Sequence, residues 1–126
     1  MTSTPVMHIG ELAERTGLSL RTIRHYDEVG LLKPSGRSDG GFRLYSADDL
    51  SRLMVIRRMK PLGFSLEEMT ELLAVIDGLA SGSAGADVLA VRAELDRFIA
   101  LVLERRERLE QQLAMADEFL DLLRSR

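Results

Sequence analysis

Apolar positions along residues 9–73 recur in short blocks, and nearly every block is closed by a capping residue or a glycine. The first reads Ile9-Gly-Glu-Leu-Ala-Glu-Arg-Thr-Gly17 and the second Leu18-Ser-Leu-Arg-Thr-Ile-Arg-His-Tyr26. These are two short amphipathic segments joined at Gly17, the second opening on Ser19, a favoured N-cap residue. The pattern predicts a helix–turn–helix.

Helical periodicity then stops. Leu31-Leu-Lys-Pro34 leaves it because Pro34 disfavours helix at the residue before it. Asp39-Gly40-Gly41 is a turn signal, and Phe42-Arg43-Leu44-Tyr45 alternates as a strand does, so a small hairpin carrying Arg37, Arg43 and Tyr45 is expected here, a wing. Ser46-Ala-Asp-Asp49 resembles a capping box and starts a helix with Leu50, Leu53, Met54 and Ile56 on its apolar face. Pro61 and Gly63 end it. Ser65-Leu-Glu-Glu68 is a second capping box, launching Leu66, Met69, Leu72, Leu73 and Ile76 at helical spacing. The small residues of 78–85 then read as a flexible linker.

The remainder is close to one long amphipathic helix. From Val88, steps of four and three pick out Leu95, Ile99, Val102, Leu109, Leu113, Ala116, Leu120 and Leu123, interrupted by Arg92 and Arg106. An a/d seam kept up for about five heptads predicts a coiled coil on the order of 55 Å long. A stripe of that length cannot be covered by a head of about 75 residues, so it needs a partner helix, and the simplest is a second copy of the chain. Two parallel, in-register copies would bring each seam arginine against its twin. An antiparallel pair lets Arg92 and Arg106 face Glu or Asp of the other chain.

The expected organisation is thus a head over residues 1–77, a linker over 78–87 and an antiparallel dimerisation helix over 88–126. The fold class is mainly α with a small β wing: a winged helix–turn–helix head followed by a long dimerising coiled-coil helix.

Charge sharpens this division. The formal net charge of -3 gives no hint of a nucleic-acid partner, but residues 1–60 hold ten Lys or Arg against seven Asp or Glu, and residues 61–126 hold seven against thirteen. A basic head with an acidic tail is expected where only the head faces phosphate. Cysteine is absent, which excludes disulfides, thiol redox sensing and thiolate metal sites. His8 and His25 are too few for a metal centre without thiols, so no metal and no cofactor are expected. No apolar run nears the roughly 20 residues of a membrane span, and no secretory segment opens the chain. A cytoplasmic protein without a membrane partner is expected, with residues 1–5 as a frayed end.

The second segment carries the candidate chemistry. Arg21, Thr22, Arg24, His25 and Tyr26 give or accept hydrogen bonds to phosphates and base edges, and a helix so short, polar and basic suits a DNA groove better than a core.

Ile9-Gly-Glu-Leu-Ala, Arg21-Thr-Ile-Arg-His-Tyr-Asp-Glu-Val-Gly-Leu-Leu, Gly41-Phe-Arg-Leu-Tyr and Leu62-Gly-Phe-Ser-Leu-Glu-Glu-Met stand in order across residues 8–76. Together they resemble the MerR family of bacterial transcription regulators. The resemblance implies a homodimer that binds double-stranded promoter DNA between two promoter elements, and bends and untwists it so that RNA polymerase engages both. Ser19, Arg21, Thr22 and Arg24 match recognition-helix positions that meet bases and phosphates, Tyr26 a phosphate-contacting tyrosine, and Arg43 with Tyr45 the wing. Arg57 and Lys60 match the basic approach to a second wing around Gly63. His25 departs from the pattern, since that position is often tyrosine.

Two other functional classes fit the residues less well. A DNA-bending accessory module has no need of the long dimerisation helix. An enzyme finds no support in the residues: no clustered His, no phosphate-binding glycine loop, no paired carboxylates in an apolar setting. Because the seam runs nearly to Arg126, no dedicated effector domain is expected, and Phe98 and Phe119 are read as packing residues rather than a ligand pocket.

Overall fold

A computed structural model of the chain describes residues 6–82 and 86–126. The expected frayed end at residues 1–5 and part of the expected linker lie outside those residues. The chain divides into two compact units, Met1–Leu73 and Ala74–Arg126.

In the first unit, α1 (Ile9–Thr16) and α2 (Leu20–Glu28) form the expected helix–turn–helix. Gly17 ends α1 at φ 73°, a left-handed conformation that costs glycine little, and its N–H closes on the Ala13 carbonyl. Thr16 is buried between the two helices' ends, and its hydroxyl is satisfied by the Leu12 carbonyl at 2.8 Å. Ser19 caps α2 as expected, accepting from the Thr22 N–H at 3.0 Å. After α2 the N–H groups of Leu31 and Leu32 both bond to the Tyr26 carbonyl, which folds these two leucines into the core.

The sheet has three strands in the order β1 (Val6–His8), β3 (Arg43–Ser46), β2 (Gly36–Arg37), all antiparallel. The hairpin expected from sequence is the β2–β3 pair. Its second strand begins one residue later than the alternation suggested, leaving Phe42 at the tip, 68% exposed. β1 was not anticipated. It sets Met7 opposite Tyr45, and both are buried.

Ser46 closes β3 and caps α3 (Ala47–Met59), where the capping box forms reciprocally: Asp49 N–H to Ser46 Oγ at 3.1 Å and Ser46 N–H to Asp49 Oδ2 at 2.8 Å. The Ser35 hydroxyl also donates to Asp49, tying the loop before the hairpin to this helix. Leu53, Ile56 and Met59 are buried, whereas Leu50 and Met54 are only half-buried. A short 3-10 turn, Lys60–Leu62, leads to Gly63, and α4 (Leu66–Ala80) starts on the second capping box, with Ser65 N–H to Glu68 Oε1 at 2.9 Å and Glu68 N–H to Ser65 Oγ at 3.1 Å.

The core of this unit gathers Met7, Leu12, Ile23, Tyr26, Tyr45, Leu53, Ile56, Phe64 and Met69, drawn from β1, β3, the four helices α1–α4 and the turn before α4. Each such side chain contributes ~1.5–3 kcal/mol before ordering costs.

In the second unit, α4 runs on through Gly78, Leu79 and Ala80, so these residues of the expected linker are helical. Gly78 has a packing reason to be glycine: a Cβ there would sit 3.3 Å from Val91 Cγ2 of α5. The helix α5 (Ala86–Arg124) is continuous for 39 residues, as the seam predicted, and its start takes residues 86 and 87 out of the linker too. No helix among the described residues is long and apolar enough to cross a membrane.

Candidate nucleic-acid interface

Helix α2 sorts its residues by face. Ile23, Tyr26 and Asp27 turn inward and are buried, while Arg21, Arg24, His25 and Glu28 are exposed, with Thr22 between. The Ser19 cap fixes the start of this helix, and its hydroxyl also lies 2.8 Å from that of Thr22. The exposed face opens onto a concavity of about 410 Å³ lined by Arg21, Thr22, Arg24, His25, Tyr26, Glu28 and Lys60. The structure therefore brings most of the expected recognition residues to one surface, and Lys60, from the turn after α3, joins them. Arg57 is exposed on α3 but does not line this concavity.

A second concavity, about 450 Å³, lies between α1, α2 and the hairpin. His8, Ile9, Arg24, Arg37, Gly41, Phe42 and Arg43 line it. Arg24 belongs to both, so the two hollows meet at α2, and Lys60, Arg21, Arg24 and Arg37 line them between the turn after α3 and the hairpin, with Glu28 beside them. Guanidinium and ammonium groups spaced along a groove suit a phosphate backbone, and Arg21 and Arg24 on a short helix can also reach base edges.

Two expected contacts, Tyr45 and Arg43, need correction. Tyr45, expected as a wing contact to DNA, is 0% exposed. Burial raises its phenol pKa above the usual tyrosine value, with a further push from the Asp27 charge, and its hydroxyl has no hydrogen-bond partner among the described residues. Tyr45 is a core residue. Tyr26 is also largely buried, its phenol raised for the same reason, yet it lines the first concavity and stays with the recognition residues. Arg43 is not a free wing cation either. Its Nε donates to Asp27 Oδ2 at 2.8 Å, which raises the guanidinium pKa further and commits the group to the head.

The reason lies in strand alternation. Arg43 and Tyr45 share a face of β3, as two-residue spacing requires, but that face turns toward α2 and the core rather than outward.

Sequence reasoning missed Asp27. This carboxylate, its side chain 12% exposed, also has Arg37 Nη2 and Lys33 Nζ at 3.9 Å. The available signal was an acid three residues after Arg24 on the helix that carries Arg21 and Arg24. Arg37, noted in the hairpin but left out of the contact set, is the half-exposed cation that the wing presents.

On α5, Leu95 and Val102 are half-buried in the single chain. Ile99, Leu109, Leu113, Ala116, Leu120 and Leu123 are exposed. The two arginines that interrupt the seam pair within their own helix, Arg92 with Asp96 at 3.9 Å and Arg106 with Glu110 at 3.5 Å. Exposed pairs of this kind contribute little. Of the two phenylalanines read as packing residues, Phe98 is buried, with the Arg97 guanidinium 4.7 Å from its ring centre, but Phe119 is exposed.

The sequence pattern of the MerR HTH family of regulatory proteins matches residues 7–75, and the MerR DNA-binding pattern matches residues 50–125. The HTH-type transcriptional regulator HmrR of Rhizobium leguminosarum bv. viciae is 41% identical over 106 residues, covering 82% of this chain and 81% of that protein. A crystal structure of HiNmlR, a MerR family regulator lacking the sensor domain and bound to promoter DNA, is similar with a TM-score of 0.62 at 26% identity, over 94% of this chain and 85% of that one. The fold is shared also with a MerR family transcriptional regulator from Bacillus thuringiensis, with a TM-score of 0.73 at 23% identity over 93% and 98% of the two chains. The chain belongs to the MerR family and is a DNA-binding transcriptional regulator of the MerR type.

Proposed function

We propose that the protein binds the spacer of a bacterial promoter as a homodimer and distorts it, so that RNA polymerase engages both promoter elements. The observation that carries this reading is the basic surface in which Arg21, Thr22, Arg24 and His25 of α2 meet Lys60 on one side and the hairpin on the other. Ser19 orients the helix, Arg21 and Arg24 take phosphates and base edges, Thr22 and His25 add hydrogen bonds, and Lys60 with Arg57 extends the phosphate track. Tyr26 lines the same concavity.

The dimer rests on a different observation. A helix with Ile99, Leu109, Leu113, Leu120 and Leu123 in water leaves a larger apolar stripe than single soluble chains usually expose. Antiparallel pairing of two α5 helices covers it and presents two heads to one duplex. The head then comprises residues 1–77 and the dimerisation segment residues 88–126. HiNmlR, also a family member, is bound to promoter DNA, which supports the same target here. The role is regulatory rather than enzymatic, and a protein working on promoter DNA with polymerase works in the cytoplasm.

A fluorescence-anisotropy titration tests this against duplexes from the gene's own upstream region and a scrambled control, at two salt concentrations. Nanomolar, salt-sensitive binding that prefers the native sequence is expected. Equal binding to both duplexes would overturn the operator-reading role.

A further inference from the structure

Asp27 is a buried carboxylate lying just beneath a surface read as phosphate-binding, where a negative charge needs a reason. It sits on α2, the helix that carries Arg21 and Arg24, and reaches the hairpin. Its Oδ2 accepts from Arg43 Nε at 2.8 Å and has Arg37 Nη2 at 3.9 Å.

The strand register explains what this carboxylate does. Arg37 and Arg43 stand directly opposite each other in the β2–β3 ladder. Like charges in that position repel and destabilise the pair. β2 has only two residues, so the ladder has little else to resist the repulsion. Asp27 supplies the countercharge to both arginines at once. Arg37 is held a second time within the hairpin, where its Nη1 donates to the Gly41 carbonyl at 3.2 Å.

We propose that Asp27 is a positioning residue for DNA binding: through Arg43 it fixes the hairpin against α2 and so sets where Arg37 stands relative to Arg24. The proposal rests on the reading of this surface as the DNA interface. Arg43 is the link, largely withdrawn from solvent, and Arg37, half-exposed and only loosely paired with Asp27, is the cation delivered to phosphate. Lys33, also 3.9 Å from Asp27 and more exposed, lies on the same rim.

Charge and geometry predict opposite outcomes for Asp27→Asn, which keeps the shape and removes the charge. If Asp27 were only a surface charge, its loss would add net positive charge and tighten DNA binding. If it positions the hairpin, binding weakens. The probe is a duplex enriched by the wild-type protein from a random-sequence pool, titrated against the full-length chain.

Asp27→Asn is expected to bind about tenfold more weakly, as on the loss of one or two phosphate contacts. Hydroxyl-radical protection should disappear at the phosphates under the hairpin and persist under α2. Asp27→Glu should recover part of the affinity, and Asp27→Asn should add nothing on an Arg43→Gln background, because both changes cut one link. In the free protein, the NMR signal of the Arg43 Nε proton should be protected from solvent exchange and lose that protection in Asp27→Asn. Should Asp27→Asn fail to fold, Arg43→Lys keeps the charge, breaks the Nε bond and predicts the same footprint.

Unchanged or tighter binding by a folded Asp27→Asn overturns the positioning role and leaves the DNA interface standing. A wild-type protein that enriches no duplex overturns the interface, and the positioning role with it.

Discussion

Met7 stands directly opposite Tyr45 across the β1–β3 ladder, and together they close the head's core beneath the hairpin. The Tyr45 hydroxyl gains nothing there, being buried without a partner among the described residues. Removing a buried polar group that makes no bond relieves its desolvation cost. Tyr45→Phe is therefore expected to leave stability unchanged or raise it by about 1 kcal/mol, with DNA affinity unaltered. Thermal melting and anisotropy measure the two effects separately. A loss of affinity at unchanged stability would return Tyr45 to the interface.

The same burial makes a prediction about alkaline pH. The chain has two tyrosines, and burial raises both phenols above their ordinary value. A proton held more tightly in the native state gives stability that is complete below the unfolded-state pKa of about 10, and lost as pH rises through the raised native values. The native state should thus weaken steadily above about pH 10. Tyrosinate absorbance is expected to appear together with loss of helical circular dichroism, in one transition. Tyrosinate forming at the ordinary pKa with helicity intact would contradict the burial of both rings.

Asp49, in the first turn of α3, ties that helix to two other segments through one carboxylate, accepting from the Ser46 N–H at the end of β3 and from Ser35 in the loop. Asp49→Ala strips the N-cap of its reciprocal bond and leaves buried donors unsatisfied. A loss of about 2 kcal/mol is expected, from a cap worth ~1 kcal/mol and an orphaned group of similar cost. Chemical denaturation of the head's tertiary signal would show it. An effect below about 0.5 kcal/mol, the scale of ordinary surface changes, would mean the box carries little.

Local signals were legible in the sequence, and long-range ones were not. Ser19, the two capping boxes and the span of α5 were all readable, because a cap or a heptad seam is decided within a few residues. β1 escaped because Val6–His8 is too short to show alternation and is a strand only by virtue of β3, far along the chain. The shared face of Arg43 and Tyr45 was read correctly as a parity. Which way it points goes with partners far along the chain, Asp27 for Arg43 and Met7 for Tyr45, and nothing in residues 42–45 records them. The linker was misjudged in part because Gly78 reads as flexibility in isolation. Its close approach to Val91 is a tertiary reason for a glycine inside a helix.

Arg24 lines both concavities and is exposed on the outward face of α2. Its replacement should weaken binding to specific and unrelated duplexes alike. Arg24→Ala is expected to lower the dependence of log affinity on log salt by about one ion. Titrations at several salt concentrations give the slope directly. An unchanged slope would remove Arg24 from the phosphate contacts, whatever the drop in affinity.

Leu109 tests the dimer. It lies mid-seam, 44% exposed in the single chain, between the half-buried Val102 and the exposed Leu113. On an isolated helix, Leu109→Asp would be nearly neutral, since surface substitutions usually fall within about 0.5 kcal/mol. In a paired seam it buries a charge against apolar side chains, at a cost of several kcal/mol. A dimer cannot absorb that cost, so sedimentation should show monomers that retain helical content and hold DNA weakly, one head at a time. A variant that still sediments as a dimer would mean the pairing face of α5 lies elsewhere, and the exposed Met115, Phe119 and Leu122 on the neighbouring side of the helix would be the next place to put the charge.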